Sequence, residues 1–199
     1  MRVLVACECS GRVRDAFRAL GHDAWSADIV AAEDKSEYHI QGDVLAILND
    51  GWDLMIAHPP CTYLSRAGAR WWKDQVRQLK ADEAAEFAFK LRDAPIERIA
   101  IENPIGQLNK RWRYPDQTIQ PWQFGHPYSK ATCLWLKNLP LLTPTDICKD
   151  YVPLLPSNTG WNARKGGKTS RGVVHTAKEA SRTFTGIAKA MSAQWSGLT

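Results

Sequence analysis

The chain of 199 residues, 44% hydrophobic, is long enough for one folded domain with a sizeable core and holds no tract of disorder-like composition. No apolar run approaches the roughly 20 residues of a membrane span, and the amino terminus runs straight into a strand-like segment, so the expected location is the cytoplasm. Five cysteines, an odd number without paired C-x-x-C spacing, indicate neither a disulfide framework nor a zinc site and read as reduced thiols with no metal expected.

Arg2 to Cys7 reads as a buried first strand, Ser10-Gly11 opens a turn, and Val13, Ala16, Phe17 and Leu20 recur at helical spacing. Gly21-His22 ends that helix. A second strand runs from Asp23 to Ala27 and closes on Asp28-Ile29; Tyr38 to Gln41 then leads into Gly42-Asp43-Val44 and a short helix to Leu48. Asp53 to Ala57 is the next strand. After a loop over 58–73, residues 74–92 carry a helical pattern with Val76, Leu79, Ala84, Phe87, Phe89 and Leu91 mostly towards one side. Arg98 to Ile101 is a strand ending at Glu102-Asn103-Pro104. This alternation predicts an α/β fold, a mostly parallel sheet with helices on both faces and ligands at the strands' carboxyl ends.

Beyond Pro104 the texture changes. Thr118 to Phe124 and Thr132 to Lys137 are strand-like, Pro140 to Pro156 is punctuated by proline, 158–172 reads as a flexible basic loop, and a helix runs from about Lys178 to Trp195. Charge follows the same division. Residues 1–108 hold 13 Lys/Arg against 17 Asp/Glu, whereas 109–182 hold 12 against 4, which makes the second part a cationic surface suited to a polyanion such as nucleic acid.

One cysteine stands out. Pro59-Pro60-Cys61 follows the apolar run 53–57, and two prolines fix the path by which the chain leaves the sheet, presenting the thiol at its carboxyl edge. A glycine-containing first turn, an acid after the second strand, Gly42-Asp43-Val44, Pro59-Pro60-Cys61 with Ser65-Arg66-Ala67-Gly68, and Glu102-Asn103-Pro104 occur in that order. This arrangement resembles the DNA cytosine-5 methyltransferases, most of all the compact phage and prophage members, over most of the chain and most strongly from Asp53 to Pro104.

The resemblance implies a Rossmann-like methyltransferase fold, one domain over 1–199 with a cofactor-binding and catalytic core at 1–108 and a basic DNA-facing part with the last helix at 109–199. It implies S-adenosylmethionine as cofactor, DNA as partner, and DNA methylation of the kind used in restriction–modification. Cys61 would add to cytosine C6, and Glu102 would hold or protonate ring N3, a role suited by a raised carboxyl pKa; Asn103 would position the loop. His58, Arg66 and Arg70 are nearby cations able to activate the thiol. Ser10, Gly11 and Pro59 would face the cofactor. Asp28 would grip its ribose, Asp43 its adenine amino group, and Ile29 and Val44 would sandwich the purine. Asp28 is alternatively a turn residue and Asp43 a helix N-cap.

Three departures from the family pattern are visible. After Ser10-Gly11 come Arg12-Val13-Arg14 in place of further glycines, with Glu8 either a ligand contact or, slightly favoured, a solvated strand-end charge. In Phe124 to Thr132 the family's glutamine and two arginines are replaced by Tyr128, Lys130 and Thr132, so one point charge stands for an arginine fork, unless Lys130 is only a solvent-facing cation. Residues 138–178 offer no large target-recognition region, which predicts relaxed or very short sequence preference, with Ser65, Arg66, Arg70, Arg164, Lys165, Lys168 and Arg171 on the DNA and Trp161 beside them. Thr183 and Thr185 would lie near the methionine end or cap the last helix. Rival readings are a non-catalytic DNA- or nucleotide-binding module of this fold and a transferase acting on a free nucleotide. No sequence signal specifies an oligomeric state.

Overall fold

Short apolar runs separated by helical segments build the central layer. The structure, a computed structural model, describes residues 1–155, 167–169, 172–174 and 176–197. Strands β1 (Arg2–Ala6), β2 (Asp23–Asp28), β3 (His39–Gln41), β4 (Leu54–Ala57) and β5 (Arg98–Pro104) lie parallel in the order β3-β2-β1-β4-β5. Of the next three, β6 (Gln117–Ile119), β7 (Tyr128–Ser129) and β8 (Thr132–Lys137), β8 pairs antiparallel with β5 and β6 antiparallel with β8, completing a seven-stranded sheet. Residues 3–6 and 54–57 are wholly buried, as central parallel strands covered on both faces must be.

The helices are α1 (Arg12–Arg18), α2 (Gln75–Arg92), α3 (Leu108–Arg111), α4 (Ala177–Ser181) and α5 (Thr185–Trp195). On one face α1 and α5 bury Val13, Phe17, Ile187, Met191 and Trp195 against Val3, Val5, Leu54, Ile56 and Leu134. On the other, α2 and the 3-10 turn Val44–Ile47 cover Leu4, Ala6, Met55, Ala57, Ile99 and Ile101. Among the described residues no helix is long and apolar enough to cross a membrane.

Four expectations change. The buried stripe of α2 is Ala81, Ala85, Ala88 and Leu91; Val76 and Leu79, in its first turns, are exposed. The small residues let the helix approach the sheet closely, which the larger apolar ones would prevent. The strand expected over Thr118 to Phe124 stops at Ile119, because Pro121 opens a 3-10 turn at Pro121–Gln123. The last helix is two: Arg182 and Phe184 are extended, and α5 begins only at Thr185. Finally, the stretch 158–172, expected as a loop, holds β10 (Gly167–Thr169) and the start of β11 (Gly172–Val174). With β9 (Val152–Leu155) these form a second sheet in the order β10-β11-β9-β7.

Candidate active site at the carboxyl edge of the sheet

The chain leaves β1 towards β2 on one side and reaches β4 on the other, so the strand order reverses between β1 and β4, where open α/β sheets form a crevice. At this point β1 ends on Cys7, whose φ of 60° is left-handed. Burial, with Asp28 and Asp43 adding to it, pushes the Cys7 thiol up to about 12. The two acids therefore converge on the mouth of β1 from the ends of β2 and β3.

Glu8 follows, and it is not a solvated charge: it is 5% exposed. Its Oε1 accepts from the Val13 N–H at 2.9 Å and from the Ser10 hydroxyl at 3.0 Å, and Oε2 accepts from the Arg14 N–H at 3.3 Å. The carboxylate thus satisfies open amides of α1 and lies at the positive end of the helix. Gly11 has φ +72°, and a Cβ there would overlap the Arg14 guanidinium. Arg14 is wholly buried, held by Asp15 at 2.8 Å, by the Ser26 hydroxyl at 3.1 Å and by Asp34. A carboxylate cap and a buried guanidinium therefore shape the turn that further glycines would otherwise form.

Asp28 Oδ1 accepts from the Val30 N–H at 2.9 Å and Asp43 Oδ1 from the Leu45 N–H at 3.0 Å. Both turn roles are present, and each carboxylate spends one oxygen on them. Ile29 is 76% exposed, whereas Val44 packs in the core at 4%, because the 3-10 turn that Asp43 caps rotates Val44 inward. Of the two residues expected beside a purine, only Ile29 presents its side chain to the surface.

Across the crevice, β4 opens into His58-Pro59-Pro60-Cys61. The His58 N–H donates to the Ala6 carbonyl at 2.9 Å, and the buried Asn103 amide donates to the Pro59 carbonyl at 2.9 Å. The loop then turns on the Cys61 carbonyl, which accepts from the Leu64 and Ser65 amides at 3.0 and 2.8 Å. It is fastened to the segment after β5 by Arg66 N–H to Ile105 O at 2.9 Å and Gln107 N–H to Leu64 O at 2.7 Å. Gly106 sits in this seam, where a Cβ would overlap the Leu64 carbonyl. Pro-Pro-Cys and Glu-Asn-Pro are therefore one stitched unit, with Cys61 partly exposed.

Glu102 is the electrostatic centre of that unit. Its Oε2 lies 3.0 Å from His58 Nδ1, with side-chain exposures of 21% and 12%. Burial pushes the Glu102 carboxyl up, but the His58 hydrogen bond and charge, Lys130 and the Thr132 hydroxyl together hold it below the ordinary carboxylate value. These surroundings do not favour the raised carboxyl that would suit the N3 role. Burial also opposes the charged form of His58, yet Glu102 and Glu8 outweigh it and raise its pKa. The Cys61 thiol is raised by burial and by Glu102, while Lys130 pulls it down. Among the described cations near it, His58 is engaged with Glu102, and Arg66 and Arg70 are exposed.

Lys130 lines a narrow cleft with Glu102, Thr132, Arg182, Thr183 and Phe184, its Nζ 6.0 Å from the Phe184 ring centroid. It is no solvent-facing strand residue. Thr183 reaches the crevice through its carbonyl, which accepts from Arg12 at 2.9 Å, while the Thr185 hydroxyl lies 3.3 Å from His126 Nε2. Ser65 caps the 3-10 turn Arg66–Trp71 at 3.2 Å, and Arg70 stands 5.1 Å from the Trp71 ring. The expected phosphate contacts Arg164, Lys165 and Arg171, and Trp161, lie outside the described residues; Lys168 is placed in β10 by its backbone alone. Sequence reasoning missed His58 and Thr132 as partners of Glu102, because cross-strand register, β5 against β8, brings Thr132 beside it.

The solved structures most like this one include a DNA modification methyltransferase encoded in an E. coli prophage, with TM-score 0.51 and 16% identity over 77% of this chain and 53% of that one. Another is a methyltransferase of Entamoeba histolytica, with TM-score 0.52 and 16% identity over 74% of this chain and 57% of that one. The fold is that of a methyltransferase. This methyltransferase fold spans just over half the length of the two solved proteins. No family model and no curated protein matches the chain.

Proposed function

We propose that this chain is an S-adenosylmethionine-dependent DNA cytosine-5 methyltransferase, working as one unit with its core over 1–108 and a DNA-facing part over 109–199. The observation that carries the reading is the stitching of Cys61 to Glu102 at the carboxyl edge of a methyltransferase-fold sheet, through Asn103 and the Gly106 seam. A pyrimidine ring needs a nucleophile at C6 and a proton manager at N3 to become reactive at C5, and these two side chains meet that need.

The cofactor pocket fits the same reading. Gly11 takes the left-handed turn that leads into α1, Asp28 and Asp43 supply acceptors on adjacent strand ends, and Ile29 offers an apolar face. S-adenosylmethionine bound there supplies an electrophilic methyl group. The remaining work belongs to the chain. Cys61 loses its proton to water under the field of Lys130 and adds to C6 as the thiolate, Glu102 neutralises the charge arriving at N3, and Asn103 keeps the loop aligned. The target base has to leave the stack for both faces of the ring to be reached. Arg66, Arg70, Lys168 and the basic residues at 164–171 contact phosphates, giving affinity with little sequence choice.

The test is mass analysis of nucleosides from cells expressing the protein and its Cys61→Ala variant. The expected result is 5-methylcytosine in DNA with the first and none with the second, the variant keeping its melting temperature. A modified cytosine confined to the free-nucleotide pool moves the reading to a nucleotide transferase. No modified base, with no cofactor binding by calorimetry, leaves a binding module.

A further inference from the structure

Glu102 faces a supply problem. In the chemistry proposed above it passes a proton to ring N3, yet its surroundings hold it as a carboxylate. The nearest proton is on its neighbour. His58 Nδ1 lies 3.0 Å from Glu102 Oε2, both side chains are mostly buried, and the imidazole hangs from a backbone fixed by the His58 N–H bond to Ala6 and by the two prolines that follow. Its other nitrogen, Nε2, is buried without a hydrogen-bond partner among the described residues.

We propose that His58 is the positioning residue for Glu102, fixing the orientation of its carboxylate and storing the proton that Glu102 delivers to pyrimidine N3. This rests on the cytosine reading of the site. The charged groups around the imidazole come from three elements: Glu102 on β5, Glu8 in the turn after β1, and Lys130 between β7 and β8. The two carboxylates favour the imidazolium and Lys130 opposes it. Facing a carboxylate at 3.0 Å, Nδ1 carries a proton that it donates to Glu102, and the charged imidazolium is favoured beyond that of an ordinary histidine.

The balance is simple. As the Cys61 sulfur forms its bond to C6, the C5–C6 π pair is displaced into the ring and N3 becomes basic. One proton leaves His58 Nδ1, is carried by the Glu102 carboxyl and bonds to N3; His58 ends neutral and Glu102 ends as a carboxylate. Once C5 carries the methyl group, its hydrogen leaves as a proton to water while the C6–S pair departs on sulfur, and the N3 proton returns through Glu102 to His58.

Two measurements on the full chain decide this. In the first, the imidazole of His58 is titrated by NMR in wild type and in Glu102→Gln. A pKa above 6.5 in wild type that falls in the variant is expected; a wild-type value at or below 6.5 overturns the proposal. In the second, single-turnover methyl transfer to duplex DNA is followed against pH for wild type, His58→Asn and His58→Ala. Asparagine places an amide donor near Nδ1 but stores no proton. It is expected to keep KM for DNA within about 2-fold while kcat falls about 100-fold and the loss of rate above the His58 pKa disappears. His58→Asn with the wild-type rate and pH profile overturns the proposal, as does a loss confined to KM. Should wild type move no methyl group to any DNA, the cytosine reading fails and the NMR titration alone decides the proton's place. Equal melting temperatures for wild type and His58→Asn keep the comparison valid.

Discussion

Glu8, buried, and Glu102, partly buried, show how two carboxylates acquire different work from their surroundings. Glu8 faces backbone amides, so its charge is spent on holding α1; Glu102 faces an imidazole, a hydroxyl and an ammonium, so its charge remains available to chemistry. The second arrangement ties stability to pH. Glu102 is held below its ordinary 4.5, so its contribution is complete above that value and is lost as pH falls through its folded pKa. His58 is held above its ordinary 6.5, so its contribution is complete below that value and is lost as pH rises through its folded pKa. Both act between 4.5 and 6.5. His58→Ala is therefore expected to cost about 2 kcal/mol near pH ~5.5, by urea unfolding, and clearly less near pH ~9. A cost independent of pH would show that the imidazole contributes packing alone.

Among the elements, the strands that carry the site were legible because burial on both faces demands unbroken apolar runs, as in Val3 to Ala6 and Leu54 to Ala57. The strand ends carrying Asp28 and Glu102, and the turns carrying Asp43 and Cys61, follow from where those runs end. What escaped notice depends on partners distant in sequence. The alanine face of α2 is set by helix-to-sheet distance, β10 and β11 by their mutual pairing and that of β11 with β9, and the His58–Glu102 contact by the register of β4 on β5. Such register makes the seam between the Cys61 loop and the segment after β5 sensitive. Gly106→Ala forces a methyl group into the Leu64 carbonyl, so the loop and β5 must part. An expected loss of about 3 kcal/mol in stability, and a larger fractional loss of activity than of DNA affinity, can be read by thermal melting beside single-turnover rates.

For the whole molecule, charge is segregated along the chain, with the excess of Lys/Arg in residues 109–182. Arg66 and Arg70 extend cationic surface from the Cys61 loop, and both are exposed. Binding to duplex DNA should weaken steeply with salt, and replacing both arginines by alanine should reduce the slope of log K against log salt by about 2, with similar loss on unrelated sequences. An unchanged slope would remove these two side chains from the phosphate contacts.

The pairing of α1 with α5 has a consequence for how the protein comes into being. Val13 and Phe17 are made early, yet the Ile187, Met191 and Trp195 side chains that complete their shelter arrive about 170 residues later, with the Trp195 indole donating to the Pro140 carbonyl at 3.0 Å. A nascent chain must hold one side of its β-layer bare for most of synthesis, so folding waits on closure from the far end. Chains halted before residue 185 should therefore bind holdase chaperones or precipitate, however well their first strands are formed.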